Sequence, residues 1–253
     1  MVQTQRVRRV YRSARRRVSV ALYEKKFALV TNVEQGPGEA VARLLQQKGF
    51  IVFGSVAASQ RESVATRAPA GRQQLLVDLH DTRSILAASR TVESAAGKLD
   101  LLVTIPPSCD EHFTNEGLTV EGLRAALEAG VIRPASIIDA FLPFLKASGR
   151  GRIVVTSSAV GSVTNATPSH PAANAFRVTM TALNALTQAY ARELAPYGIK
   201  VNAVAPDAGI LGAPVQLGPE ADDAIAQLIV QLGGAESDGP TGGFFTTFGR
   251  HAW

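Results

Sequence analysis

From residue 27 onward, short apolar runs alternate with stretches whose apolar residues recur at helical spacing. FALVT (27–31) reads as a buried strand, and EAVARLLQQKG (39–49) as a helix stopped by glycine. FIVFGSV (50–56), QLLVDL (74–79) and LDLLVTI (99–105) follow as second, third and fourth strands. A helical stretch through ALEAGVIRPASIIDAFLPFLKASG precedes a fifth strand, GRIVVTSS (151–158). A long helix from about Ala175 to Ala195 leads to a sixth strand, IKVNAVAP (199–206), and GGFFTTF adds an edge strand. Strands apolar on both faces and separated by helices predict a doubly wound, mainly parallel α/β sheet. Without a linker or repeat, the 253 residues divide into an N-terminal extension, 1–26, and one domain, 27–253.

Charge changes that picture only at the N-terminus. Of the net +5, residues 1–26 carry +8 and the remaining residues carry −3. The basic arm predicts contact with an acidic partner, RNA or anionic lipid, or a targeting segment over residues 1–23. The expected location is accordingly cytoplasmic, or mitochondrial or otherwise organellar if the arm is a targeting signal. No apolar run reaches the length of a membrane span. A single cysteine, Cys109, excludes an internal disulfide framework and a cysteine-rich metal site.

The first strand runs into TNVEQGPG (31–38), a strand-to-helix turn with Gly36 and Gly38. Such a turn lets a phosphate approach backbone N–H groups at a helix N-terminus. Asn32 stands where a first glycine is expected, and asparagine tolerates the left-handed conformation better than most residues.

Over nearly all of residues 27–253 the chain resembles the short-chain dehydrogenase/reductase family. FALVTNVEQGPGEAVARLL resembles its nucleotide-binding opening, VDLHD its aspartate after the third strand, and LDLLVTIPP its N-N-A-G segment. GRIVVTSSAVG resembles the strand carrying the catalytic serine, and LTQAYARELAPYGIKVNAVAPD the long helix and next strand. DGPTGGFF with a terminal tryptophan is similar to the ending of carbonyl-reductase-like members. The resemblance implies NAD or NADP binding through Thr31, Asn32, Gly36, Gly38 and Asp78. It also implies homo- or hetero-oligomers built through helices.

That family transfers a proton through a tyrosine hydroxyl, assisted by a lysine one helical turn later. Gap-free counting from Val201 and Asn202 puts Phe176 and Met180 at those two places. Gly130 takes the family asparagine's place, Pro106 and Pro107 interrupt the N-N-A-G segment, and Asp207 replaces a glycine. Ser157 or Ser158 retains the serine, 18 residues from Phe176 in the case of Ser158. Asp110, Glu111, His112 and His170 are further polar residues for that sheet edge. Neither Val56 nor Arg61 selects between the two dinucleotides.

These replacements predict a catalytically degenerate homologue serving as a non-catalytic binding or structural subunit, with NAD or NADP binding weak or lost. The alternative is an NAD(P)-dependent oxidoreductase, or a non-redox enzyme comparable to halohydrin dehalogenases, using Ser158 and residues outside the family set. A dinucleotide-sensing regulator is a third reading.

Overall fold

The computed structural model describes residues 25–34, 36–56, 72–79, 81–105, 118–164, 174–206, 218–234 and 238–253. Strand β1 (Lys26–Val30) leads through the glycine turn into α1 (Gly36–Gln47) and β2 (Phe50–Val56). Next come β3 (Arg72–Leu76), α2 (Thr82–Ala95) and β4 (Leu101–Thr104). Helix α3 (Val120–Leu127) continues through one π-helical turn (Glu128–Ile132) into α4 (Arg133–Ala147) and then β5 (Arg152–Thr156). Helix α5 (Asn174–Glu193), β6 (Lys200–Val204), α6 (Pro219–Gly234), β7 (Phe244–Thr246) and β8 (Gly249–His251) complete the order.

The eight strands form one sheet in the order β3-β2-β1-β4-β5-β6-β7-β8, parallel except for the closing β7–β8 pair. The chain winds outward in both directions from β1 and β4. Their boundary is the switch point where such sheets open a crevice beyond the carboxyl ends of the strands.

Period-two alternation explains the two cores. In β1, Phe27 and Leu29 join a cluster with Ile85 of α2, Phe141 of α4 and Met180 of α5. Ala28 and Val30 point the other way, into a cluster with Val41 of α1 and Ile229 of α6. Both faces are therefore covered, as the apolar strands require.

Helix α5 buries Phe176, Thr179, Met180, Leu183, Asn184, Thr187 and Ala191, a stripe at three- and four-residue steps. Two glycines let that helix come close. A Cβ on Gly161 would stand 2.7 Å from the carbonyl carbon of Met180, and one on Gly130 would stand 2.4 Å from Thr179 Cγ2.

Asp100 ties β1 to β4 from below. Its Oδ2 accepts from Phe27 N at 2.8 Å, while Oδ1 accepts from Arg150 Nε at 3.3 Å. With Asp100 only 5% exposed, Asp100→Ala leaves a buried N–H without its acceptor. The expected loss is about 2 kcal/mol, or about 4–8 °C in Tm at this chain size. Differential scanning calorimetry checks it.

Candidate functional site

The crevice is assembled from strand ends. Thr31 follows β1, and its Oγ1 donates to Ile105 O at 2.8 Å while accepting from Ile105 N at 2.7 Å. This reciprocal pair clamps the end of β1 to the end of β4 across the switch point. Asn32 adopts φ 53°, its N donates to Ser55 Oγ at 3.2 Å, and its Nδ2 donates to Ile105 O. Asparagine thus supplies the left-handed turn that a glycine was expected to make.

Gly36 opens α1 with φ 60°. Gly38 lies against the turn so closely that a Cβ there would fall 2.0 Å from Asn32 O and 3.1 Å from Thr31 O. The helix N-terminus is therefore pressed onto the strand end, where the first-turn N–H groups lack intrahelical acceptors and Pro37 contributes none.

Asp222 of α6 lies beside this turn, with Oδ2 3.8 Å from where a Cβ on Gly36 would be. Its Oδ1 is buried without a hydrogen-bond partner. Burial raises the carboxyl above the usual aspartate range, and neighbouring Asp223 adds to the rise. Asp223 itself is engaged by Arg43 of α1.

The raised Asp222 means the folded state binds its proton more tightly than the unfolded state. Stability therefore falls as pH rises from the ordinary 3.8 through the folded value. Asp222→Asn is expected to melt at a higher temperature than the parent at pH 7, the difference closing as the medium is acidified below the ordinary aspartate range. Paired melts at those two pH values check the sign.

Beyond β5 the two serines differ in what their hydroxyls do. Ser157 Oγ donates to Asn184 Oδ1 at 2.6 Å and lies 4.0 Å from Met180 Sδ. Ser158 Oγ accepts from Val160 N at 3.4 Å, capping the short turn Ala159–Gly161. Its own proton has no acceptor within that cap.

Phe176 and Met180 are buried on α5, at 8% and 2% exposure. Met180 lines a cavity of about 20 Å³, as do Thr31, Thr104, Gly130, Arg133 and Thr156. That is room for about one water molecule. Thr104 Oγ1 and Thr156 Oγ1 are buried there without hydrogen-bond partners.

Sequence reasoning placed Thr104 in the N-N-A-G-like segment without giving it a role, and gave none to Thr156 or Arg133. The available signal was a threonine closing three successive central strands, at 31, 104 and 156. Asp78 is exposed just beyond β3, its N donating to Ser84 Oγ at 2.8 Å. The two described tyrosines are engaged elsewhere. Tyr190 Oη donates to Asp139 at 3.4 Å, and the Tyr197 ring lies 3.7 Å from Lys146 Nζ.

Arg61, Pro106, Pro107, Cys109, Asp110, Glu111, His112, His170, Asp207 and the arm through residue 24 lie outside the described residues. Among the described residues no cluster of His, Cys, Asp or Glu is suited to a metal. None of the described helices is long and apolar enough to cross a membrane.

A doubly wound sheet, a glycine turn at its switch point and a serine beyond β5 define a Rossmann-like protein of single-domain architecture. The chain belongs to the short chain dehydrogenase family, whose model matches residues 26–213. It is 32% identical over 204 residues to cis-4-hydroxycyclohexanecarboxylate dehydrogenase of Sinomonas cyclohexanicum, covering 79% of each chain. It is 29% identical over 194 residues to 3-oxoacyl-acyl-carrier-protein reductase of Vibrio harveyi, covering 72% of this chain and 73% of that one. The solved NADPH-bound carbonyl reductase from chicken fatty liver superposes with a TM-score of 0.71 at 22% identity, over 90% of this chain and 99% of that one.

These relatives overturn the expectation of a non-catalytic binding or structural subunit. They are named as a dehydrogenase and a reductase, and the match runs through the whole crevice-forming region. The residue argument overreached for a physical reason. Phe176 and Met180 remove one proton donor and one charge, which slows a reaction; they leave the turn, the strand-end clamp and Ser158 in place.

Proposed function

We propose that the chain is an NAD(P)-dependent oxidoreductase interconverting a carbonyl compound and its alcohol. The observation that carries this reading is the intact glycine turn, with Asn32 left-handed and Gly38 too close to Asn32 O to accept any side chain. It supplies what a dinucleotide pyrophosphate requires: a backbone without obstruction and a helix N-terminus facing it. The sequence similarity to a named hydroxycyclohexanecarboxylate dehydrogenase supports a secondary alcohol or ketone as the substrate class.

The residues present fit the dinucleotide along most of its length. Asn32, Gly36 and Gly38 would hold the pyrophosphate, Asp78 would face the adenine end, and Thr104 and Thr156 retain hydroxyls for a polar partner. When bound, the nicotinamide would supply a hydride for the carbonyl carbon, with water supplying the proton that completes the hydroxyl. Phe176 and Met180 keep the wall of the site apolar and packed.

Of the two serines, Ser158 is the one fitted to hold the substrate oxygen. Ser157 already gives its proton to Asn184, whereas Ser158 accepts from backbone and keeps its O–H to donate. The test follows NADH and NADPH oxidation by near-ultraviolet absorbance over a panel of cyclic and linear ketones. Slow turnover by the parent, lowered about 10²-fold or more in Ser158→Ala, is the expected result. Absence of turnover across the panel with either cofactor refutes the reading.

A further inference from the structure

We propose that Asp222 is a brake on dinucleotide binding: its carboxylate stands at the margin of the glycine turn, and an anionic pyrophosphate seats there at full affinity only when that carboxyl carries a proton. The inference rests on the oxidoreductase reading above and deepens it.

Three observations converge on this residue. Asp222 lies in the first turn of α6 and reaches across to the first residue of α1, with Oδ2 3.8 Å from where a Cβ on Gly36 would be. Its Oδ1 is buried without a hydrogen-bond partner, so that oxygen's charge is not offset locally. Pro37, the second residue of α1, removes one of the first-turn N–H groups that would otherwise help an anion at this turn.

The charged side chains around Asp222 do not relieve it. Its own helix brings Glu220 and Asp223, both acidic. On α1, Glu39 is acidic and Arg43 is engaged by Asp223. Glu34 adds a further acid in the turn itself. Strands β5 and β6 also pack against α6, but their charged residues, Arg152 and Lys200, open those strands and lie at the opposite edge of the sheet.

A second negative charge brought to this turn meets the first at short range, where water screens only part of the repulsion. Burial and Asp223 already raise the carboxyl above its ordinary value, and a bound pyrophosphate raises it further. Proton and dinucleotide therefore favour one another's binding, each by the same factor. Affinity for the dinucleotide is lowest where Asp222 is ionised and rises as the medium is acidified through its titration.

Isothermal titration calorimetry of the full chain with NAD⁺ and NADP⁺ tests this at about pH 5 and about pH 8, a range in which folded proteins are commonly most stable. At the higher pH, Asp222→Asn is expected to bind about tenfold tighter than the parent, the effect of removing one partly screened like charge. The gap is expected to narrow at the lower pH, because the parent gains affinity there and the variant does not. Glu93→Gln removes the same charge from an exposed position in the last turn of α2 and is expected to stay within about twofold of the parent at both pH values. Should Asp222→Asn fail to fold, Asp222→Ser takes its place. Parent-like affinity in the folded Asp222 variant, a gap that does not narrow on acidification, or an equal gain in Glu93→Gln overturns the proposal and leaves the oxidoreductase reading standing. Failure of both the parent and the Asp222 variant to bind either dinucleotide at either pH overturns the two together.

Discussion

Phe176→Tyr/Met180→Lys is expected to raise turnover by about 10²- to 10⁴-fold, the contribution of a positioned general acid. Both positions lie on the buried stripe of α5, one helical turn apart. Tyrosine adds a single hydroxyl to the volume that phenylalanine fills, and lysine roughly matches methionine in length. Acceptors for the new ammonium are close at hand. Ser157 Oγ lies 4.0 Å from Met180 Sδ, and Thr104 and Thr156 present unsatisfied hydroxyls to the same cavity. Arg133 across that cavity opposes a second cation, so the lysine pKa should fall and the variant should lose stability. Steady-state kinetics over pH checks the prediction. The signature is a higher kcat with a new titration in its pH profile, absent from the parent and from either single variant. An unchanged kcat in a folded double variant would show that proton supply does not limit the rate.

Gly38→Ala is expected to cost about 3 kcal/mol, at the upper end of what overpacking strain gives, and to abolish dinucleotide binding. A new Cβ would meet Asn32 O at 2.0 Å and Asn32 C at 2.8 Å. Those are backbone atoms, and Asn32 is held by Ser55 and by Ile105. Relief therefore requires moving α1 off the strand end, which removes the helix N-terminus from the crevice. The Tm should fall by about 6–12 °C. Gly36→Ala meets nothing nearer than 3.8 Å and suffers mainly through its φ of 60°. Its loss should accordingly be smaller, and the order of the two Tm values is the check.

Apolar continuity made the central sheet readable. FIVFGSV matches β2 at both ends, its apolar run interrupted only by the small Gly54 and Ser55. The third strand sits earlier than read, at Arg72–Leu76 rather than 74–79, because Arg72 and Gln73 pair with β2 despite being polar. Hydrogen bonding at the sheet margin does not need apolar side chains.

Helix α2 was not read from the sequence. Its buried stripe is Ile85, Ala88, Ser89 and Val92, too small and mixed to raise an apolar pattern. Helix α6 was missed as well, although it buries Ile225, Ala226, Ile229 and Val230. The antiparallel β8 rests on a hairpin of three-residue strands, Phe244 pairing with His251, too short to show a period.

The site divides along the same line. The glycine turn is contiguous in sequence, so Thr31, Asn32, Gly36 and Gly38 could be picked out together. Thr104, Gly130, Arg133, Thr156 and Met180 meet only because the winding of the sheet brings distant strand ends to one edge. No spacing rule joins position 133 to position 180. Weighing Phe176 and Met180 apart from the glycine turn and Ser158 is what favoured a non-catalytic subunit, a reading the family relatives overturned.

Deuteride transfer is the most direct measurement of the central claim. The parent chain is incubated with NADPH or NADH carrying deuterium at the transferable position, together with a cyclic ketone, and the alcohol is analysed by mass spectrometry. The account predicts one deuterium on the carbinol carbon, accumulating with enzyme concentration even where absorbance changes are slow. Folded protein that binds the dinucleotide yet leaves the alcohol fraction unlabelled with both cofactors would contradict it.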